Sequence, residues 1–528
     1  MEGQGDNRIH GSSEDTPLLV EETGSGTVTG TEHCQEEVNH TSGFTLKHLM
    51  IVPMCACYFI AGCIYLYIFP QYIQKVMENS DVKDFPHKIS PHVPHVIFSQ
   101  RNYVFQSQEQ TISDGCSNVN KSDEAYKKFD HIQQETAKWI IYFNISALIP
   151  AMFANLIWAS FSDVLGRKFA MFLCLAAMTI RLTIFTFVVY FKLSLVYALI
   201  GNFIDGLAGS YTSLYAILFS YVSDITCTGK QRTIAIVVVE LVIGLSFTAS
   251  SIVSGHLIDQ FGFFYPSMVN SIISAVGILI LLFLVPETMQ RNQTERQRPT
   301  VWKSLAESFR FYFCDGTKIK RVKYVLLMLS FFFMGIPAMS RMSIEVLYQL
   351  GRPFCWSPTK IGWFGAIKMI VASLFGIGST YIFKRCVADD TIAFYSLILT
   401  AAGYVVEGLA KTDFALYSVT VIAAPSGLPF PMIRSLMSCL TPADKQGAIF
   451  ASIGFVETLC SLIGSVSTNA VYAATLTIMN GFVFLLMAGL TVIGALFLLA
   501  FMVVQRKNKE GSAETVIFVN PDIASTED

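Results

Sequence analysis

Ser162-Asp163-Val164-Leu165-Gly166-Arg167-Lys168 lies where one apolar stretch stops and the next begins almost at once. Only a tight turn fits between them, and Gly166 permits the backbone angles such a turn needs. Arg167 and Lys168 place positive charge on one side of a membrane, which reads as the cytosolic side. Asp163 ends its helix, where a carboxylate can pair with a nearby cation or accept from a helix N-terminus. Alone, a D-x-x-G-R-K run is a stop signal with a salt bridge. Between the second and third of a dozen apolar spans, it is strong evidence.

The surrounding composition supports a chain held in lipid. Of 528 residues, 52% are hydrophobic and 14% charged, whereas soluble proteins carry about 25% charged residues. The formal net charge of −2 gives no case for nucleic acid as a partner. No metal-type cluster stands out among the twelve cysteines, and Cys55, Cys57 and Cys63 fall in the first apolar span, where Cys acts as a small hydrophobe. Residues 1–45 are polar and rich in Gly, Ser and Glu, which predicts a disordered cytosolic tail and no secretory signal. Within it, Glu14-Asp15-Thr16-Pro17-Leu18-Leu19 reads either as an acidic dileucine sorting signal for cytosolic adaptors or as a chance apolar pair.

A membrane span needs about 20 apolar residues. Such runs cover 46–70, 137–160, 169–191, 194–222, 231–257, 263–286, 324–347, 361–383, 391–410, 413–440, 446–474 and 478–504. This predicts an all-α membrane protein of twelve transmembrane helices in two six-helix halves, 46–286 and 324–504. Arg167/Lys168, Lys230/Arg232, Lys384/Arg385, Lys445 and Arg506/Lys507/Lys509 fall on one side, against only Lys192, Arg352, Lys360 and Lys411 in the opposite short loops. The basic side is therefore cytosolic, with both termini and the closing tail 505–528.

Two connections are long. Residues 71–136 form a luminal or exterior loop holding Asn120-Lys121-Ser122, an acceptor sequon on the correct side for glycosylation. The sequons at Asn39 and Asn292 lie on the cytosolic side and that at Asn144 within a span. The linker 287–323 is basic and cytosolic, and its Phe309–Phe313 segment suits an amphipathic surface helix. Cys116 and Cys355 are both luminal, where an oxidising compartment favours a bridge between them over two free thiols.

Charges within the spans carry the functional argument, since each costs about 2.5–3.5 kcal/mol at mid-bilayer on insertion scales. Asp205 lies in Gly201-Asn202-Phe203-Ile204-Asp205-Gly206-Leu207-Ala208-Gly209, whose glycines let another helix approach closely. Glu240 is about ten residues into the fifth span. Arg341 and Glu345, four apart in the seventh, share a face and can pair. Arg434 follows Pro425, Pro429 and Pro431, which break the backbone ladder where a helix lines a cavity. Lys368 and Glu457 are further candidates, Glu407 is either another or reaches the interface from its helix end, and Arg181 either snorkels or pairs within the bundle. Such charges serve as packing pairs or as a transport site. Burial favours the protonated form of a carboxylate, and an Arg in the same cavity can clamp an anionic substrate. Proton-takers plus an anion clamp between two six-helix halves describe a proton-coupled carrier of organic anions driven by the proton gradient, with no other cofactor.

These residues carry a family resemblance. The D-x-x-G-R-K turn is similar to the signature of the major facilitator superfamily, with Ala159 where that pattern has Gly. From first span to last, the chain further resembles the proton-coupled folate transporter family, solute carrier family 46. The matching segments are Tyr221-Val222-Ser223-Asp224 with Arg232, Val239-Glu240-Leu241-Val242-Ile243-Gly244, Pro353-Phe354-Cys355-Trp356, and Ile433-Arg434 with Gln446-Gly447-Ala448-Ile449-Phe450. The resemblance implies alternating access, with Asp163, Gly166, Arg167 and Lys168 in the conformational switch, Asp205 and Glu240 supporting coupling, and Arg434 serving substrate and proton. It also implies the Cys116–Cys355 bridge and glycosylation of the loop bearing Asn120. The family's folate carrier has a functional His in the seventh span; aligned back from Cys355-Trp356, that position is Ala338. The resemblance therefore points away from folate itself, toward the lysosomal and orphan members that resemble exporters of steroid-like conjugates and muropeptides to the cytosol. Lysosomal or endosomal membrane is the expected location, with plasma membrane the alternative. A transporter-like receptor or scaffold that binds without moving its ligand is the competing class, against which the density of buried charge argues. Nothing in the sequence suggests an enzyme: there are no paired His ligands, nucleophile elbow or phosphate loop. Nor is there a filter-like repeat of a channel.

Overall fold

The computed structural model describes residues 50–81, 124–226, 230–288, 317–383, 387–441 and 446–519, and these are helical with short connections and no strand. Leu18, Leu19, Cys116, Asn120 and the 309–313 segment lie outside the described residues. The helices are α1 (Ile51–Asp81), α2 (Glu124–Leu165), α3 (Arg167–Phe191), α4 (Leu195–Leu207), α5 (Ser210–Ile225), α6 (Lys230–Phe261) and α7 (Phe264–Leu284). In the second half they are α8 (Lys318–Leu350), α9 (Pro358–Phe383), α10 (Asp389–Leu409), α11 (Asp413–Ile422), α12 (Pro429–Leu440), α13 (Gln446–Thr475) and α14 (Phe482–Val519).

Helix occupies every one of the twelve stretches expected to span. Eight of the described helices are long and apolar enough to cross a membrane alone, and α11 with its continuation through α12 makes a ninth. The fourth expected span is two pieces, α4 and α5, broken at Gly209. The tenth is bent by 48° where Ala424–Gly427 winds as a 3-10 turn, the break that its prolines predict. Two bounds need correction. The helices α1 and α2 extend beyond the hydrophobic core to Asp81 and from Glu124, so the loop expected over 71–136 is shorter by both extensions. Those turns are polar, yet Gln71, Gln74, Asp130 and Gln133 are buried, because they pack against other elements instead of facing water.

Large apolar side chains such as Phe187, Tyr190, Phe283 and Leu374 stand on the outside of the bundle. An uninterrupted coat of this kind suits contact with acyl chains. Inside, Asn202, Asp205, Arg341, Glu345, Glu407 and Asn469 are buried. The distribution is that of a membrane protein with a polar interior.

Hydrogen bonds between the two halves cluster at one end. There Arg352 donates to the Asp130 carboxylate and, at 3.1 Å, to the Tyr126 carbonyl. Tyr472 donates to Gln133 Oε1 at 2.7 Å, and the Thr359 N–H to Asp259 Oδ2 at 3.0 Å. Midway along the bundle, Asn155 donates to Thr458 Oγ1 at 3.2 Å and Tyr211 meets Ser461 at 3.4 Å. Among the described residues, no such bond joins the halves at the opposite end, where Gly166 and Arg167 lie. The halves are therefore joined by side-chain hydrogen bonds at the far end.

Within the first half, the approach expected of the fourth-span glycines is present. A Cβ on Gly206 would lie 2.6 Å from Pro150 Cγ of α2 and overlap the Ala147 carbonyl. Gly206→Ala should therefore destabilise the protein by about 1–3 kcal/mol through overpacking. Thermal unfolding of the detergent-purified variant checks this, and an unchanged midpoint would show that α2 and α4 are not so closely apposed.

Candidate functional site

Four clusters of charge lie on this frame. The first is the turn at the basic end. Gly166 has a φ of +100°, a value that favours Gly, and a Cβ there would sit 2.5 Å from Glu287 Oε2. Glu287 accepts from the backbone N–H groups of Arg167 at 3.0 Å and Lys168 at 3.1 Å. A carboxylate thus caps the positive end of α3. The Arg167 side chain turns to α5 and pairs with Asp224 at 3.0 Å. Tyr221 donates to the Pro286 carbonyl at 3.1 Å, and Lys168 to the Leu282 carbonyl at 2.8 Å. The turn therefore ties the start of α3 to the ends of α5 and α7.

The second cluster is buried in the first half. Asp205, 1% exposed, accepts from Arg181 of α3 at 3.0 Å and from Ser210 at 2.8 Å. The Arg181 guanidinium lies over the Tyr65 ring, 4.6 Å from its centroid. Arg181 thus pairs within the bundle. The break between α4 and α5 serves the same group, since it brings Ser210 back toward Asp205.

The third cluster is buried in the second half. Arg341 donates to Glu407 at 2.7 Å, and the same nitrogen lies 3.6 Å from Glu345, the partner expected from i,i+4 spacing. Lys368 of α9 pairs with the other Glu345 oxygen. Glu407 does not reach the interface: it is 0% exposed, because Arg341 stands beside it in the bundle. Two cations and two carboxylates leave the cluster neutral, and Tyr404 flanks it with its ring under Arg341.

The fourth cluster lies between the halves. Glu240, on α6, has an exposed side chain. Exposure alone would fit a lipid-facing residue, but its electrostatic neighbours are Cys55 of α1, Tyr215 of α5 and, across the divide, Arg434 of α12. Glu240 therefore faces the space between the halves. Arg434 donates to Glu457 of α13 at 2.6 Å and lies 5.9 Å from the Phe331 ring centroid. Tyr211, Tyr215 and Phe219, four apart on α5, form an aromatic stripe, extended by Phe59 against Tyr215. The boundary between the halves holds here one carboxylate, one guanidinium with a carboxylate partner, and an aromatic stripe.

The model of the Major Facilitator Superfamily matches residues 126–465, well over half of the chain. The chain belongs to the major facilitator superfamily. It is 28% identical over 409 residues to the lysosomal proton-coupled steroid conjugate and bile acid symporter SLC46A3 of Homo sapiens, covering 75% of this chain and 86% of that protein. It is 26% identical over 391 residues to the proton-coupled folate transporter of Bos taurus, covering 73% and 82%. Both relatives belong to the transporter family that the sequence resembles, and the likeness to the lysosomal symporter is the stronger, as expected. Among solved structures, the POT family transporter PepTSo superposes with a TM-score of 0.59 at 10% identity, covering 88% of this chain and 99% of that one, which shows the shared fold. Membership of this superfamily sets the chain among transporters and not enzymes.

On that major facilitator frame, the expected site residues separate. Gly166, Arg167 and Lys168 meet in the turn at the basic end, whereas the Asp163 side chain lies outside the described residues. Among the described residues, Glu287 accepts at the helix N-terminus and Asp224 pairs with Arg167. Neither had been singled out for a role, although Asp224 stands in Tyr221–Asp224 and Glu287 follows Pro286 where the sixth span stops. Both are carboxylates at span ends on the basic side, which was the signal available. Asp205 lies in one buried pair, Arg341 and Glu345 in another, and only Glu240 and Arg434 stand at the boundary between the halves. Cys355 is disulfide-bonded, while the other six described cysteines are free, so its partner lies outside the described residues.

The Arg181–Asp205 pair yields a stability prediction. Arg181→Ala leaves a buried carboxylate unpaired and should cost about 3–5 kcal/mol. Adding Asp205→Asn removes the stranded charge and should recover part of that loss. Thermal unfolding of both variants checks the coupling; additive losses would show that the two side chains do not act as a pair.

Proposed function

We propose that this protein is a proton-coupled symporter that moves a bulky organic anion toward the cytosol by alternating access. The observation that carries the reading is the placement of the Arg434–Glu457 pair at the boundary where Tyr211 of the first half meets Ser461 of the second at 3.4 Å, with Glu240 within electrostatic range. Arg434 is the anion clamp: its planar guanidinium suits a sulfate or carboxylate, and Glu457 orients it. Glu240 is a carboxylate reachable from water within an apolar frame, a group able to take up and release a proton as its surroundings change. Tyr211, Tyr215 and Phe219 would stack against a rigid apolar body. A steroid conjugate, joining such a body to an anionic group, satisfies both demands, and the relative named for steroid conjugate and bile acid symport supports that class over folates and muropeptides.

The positive-inside rule makes the basic end cytosolic. The Arg352–Asp130 pair is, in this reading, the latch that closes the luminal end. In this reading the turn at Asp163, Gly166, Arg167 and Lys168 is the switch that holds α3 against α5 and α7 while the halves rock. Lysosomal or endosomal membrane is the proposed location, with Leu18 and Leu19 as the adaptor signal, Asn120 as the glycosylated residue and Cys116 as the partner of Cys355. Residues 46–286 and 324–504 are the two halves, joined by the cytosolic linker 287–323.

Proteoliposomes with an imposed pH gradient test the function. Uptake of a radiolabelled sulfated steroid should rise severalfold when the donor side is acid, and Glu240→Gln should abolish that rise. Arg434→Ala should raise KM by roughly tenfold to a hundredfold, the loss of one charge-assisted hydrogen bond of about 1.5–3 kcal/mol. An unchanged pH profile in Glu240→Gln, or an unchanged KM in Arg434→Ala, would remove that residue from the site.

A further inference from the structure

The buried cluster in the second half has an imbalance of hydrogen bonds that its neutral charge conceals. The Arg341 terminal nitrogen reaches both carboxylates, binding Glu407 Oε2 at 2.7 Å and standing 3.6 Å from Glu345 Oε1. Lys368 takes Glu345 Oε2. This leaves Glu345 Oε1 and Glu407 Oε1 buried without a hydrogen-bond donor. The two carboxyl groups are within hydrogen-bonding reach of each other. Ionised, both can only accept, and a buried acceptor without a donor costs about 1–3 kcal/mol, more when charged. A single proton between the carboxyls forms an O–H···O bond and satisfies both. Two carboxylates sharing a site commonly hold one proton in this way.

Two donors near the pair, Arg341 Nε and Gln349 Nε2, are buried without an acceptor, and neither bonds a carboxylate oxygen. The helix α8 presents Arg341 and Tyr348, and the Tyr348 hydroxyl is spent on the Glu407 and Ala410 backbone carbonyls at 3.2 Å. From α9 comes Lys368, and from α10 itself Tyr404. On α11, Asp413 is paired with Lys360 and hydrogen-bonded by Trp356. On α12, Arg434 is paired with Glu457. The helix α14 carries no titratable side chain between Phe482 and Gln505. Toward the first half, a small cavity borders Tyr67, Glu345, Gln349 and Lys368, with room for about one water molecule. Gln349 Nε2 there is buried without an acceptor. The cavity links Glu345 to α1, across the divide between the halves.

We propose that Glu345 and Glu407 form a shared-proton site of the transport cycle, separate from Glu240. The step is a plain protonation: one H⁺ from water adds to the pair, no other bond breaks, and the cluster goes from net neutral to net +1. That added charge weakens the hold of Glu345 on Lys368, beside the Tyr67 contact between halves. The role in the cycle rests on the proton-coupled reading above, but proton binding itself does not, and the test separates them.

Infrared difference spectra between acid and alkaline pH, on the purified full-length protein in lipid nanodiscs, read protonated carboxyl groups without any substrate. Wild type should show a titrating carboxylic C=O band that persists in Glu240→Gln and is lost in both Glu345→Gln and Glu407→Gln. Where a Gln variant does not fold, Glu345→Asp and Glu407→Asp serve, and both should shift the band. Absence of the band in wild type, or its survival unshifted in either position's variants, overturns the proposal. Should the band behave as expected while a pH gradient fails to drive sulfated-steroid uptake, the site stands and the symport reading falls.

Discussion

A charge within hydrocarbon must have a partner, and the interior of this protein is arranged around that requirement. Arg181 answers Asp205, Arg341 answers Glu407 and Glu345, and Lys368 completes the second set. Apart from Arg341–Glu345 within α8, each pair joins different helices, so neutralising charge also fixes helix against helix. An unpaired buried ion costs several kcal/mol, whereas a pair replaced by apolar residues costs little. Pairs that persist in lipid therefore specify which helices meet, and their stability contribution alone does not account for their presence.

Glu240 and Arg434 depart from that pattern in an informative way. Each belongs to a different half, and they lie in the space between halves instead of within either one. Interactions that cross the divide can change as the halves move, while those inside a half travel with it. The Arg181–Asp205 pair and the Arg341–Glu345–Glu407–Lys368 cluster each lie inside one half, whereas Glu240 and Arg434 stand at the boundary.

The two ends of the bundle differ in the same terms. At the far end Arg352, Asp130, Tyr472 and Gln133 join opposite halves. At the basic end Gly166, Arg167, Asp224 and Glu287 join helices of one half. Only the first set opposes separation of the halves. The second ties three helices of one half to each other.

The apolar runs, the turn at Gly166, the proline break before Arg434 and the intramembrane charges were all legible in the amino-acid sequence. Each depends on local chemistry: the length of a hydrophobic run, a residue that tolerates positive φ, a missing N–H. The sequence resemblance also placed the chain among its relatives. Partner choice was not legible. Arg341 and Glu345 are four apart and predict one another, yet the shorter ion pair of Arg341 is with Glu407, sixty-six residues away. Glu287 and Asp224 took their roles from the same ends of two different spans, and Arg181 found Asp205 only once α3 and α4 lay side by side. Sequence alone determined which residues needed a partner, because the cost of burying charge belongs to the side chain. The tertiary structure decided which partner answered, because that depends on which helices pack together.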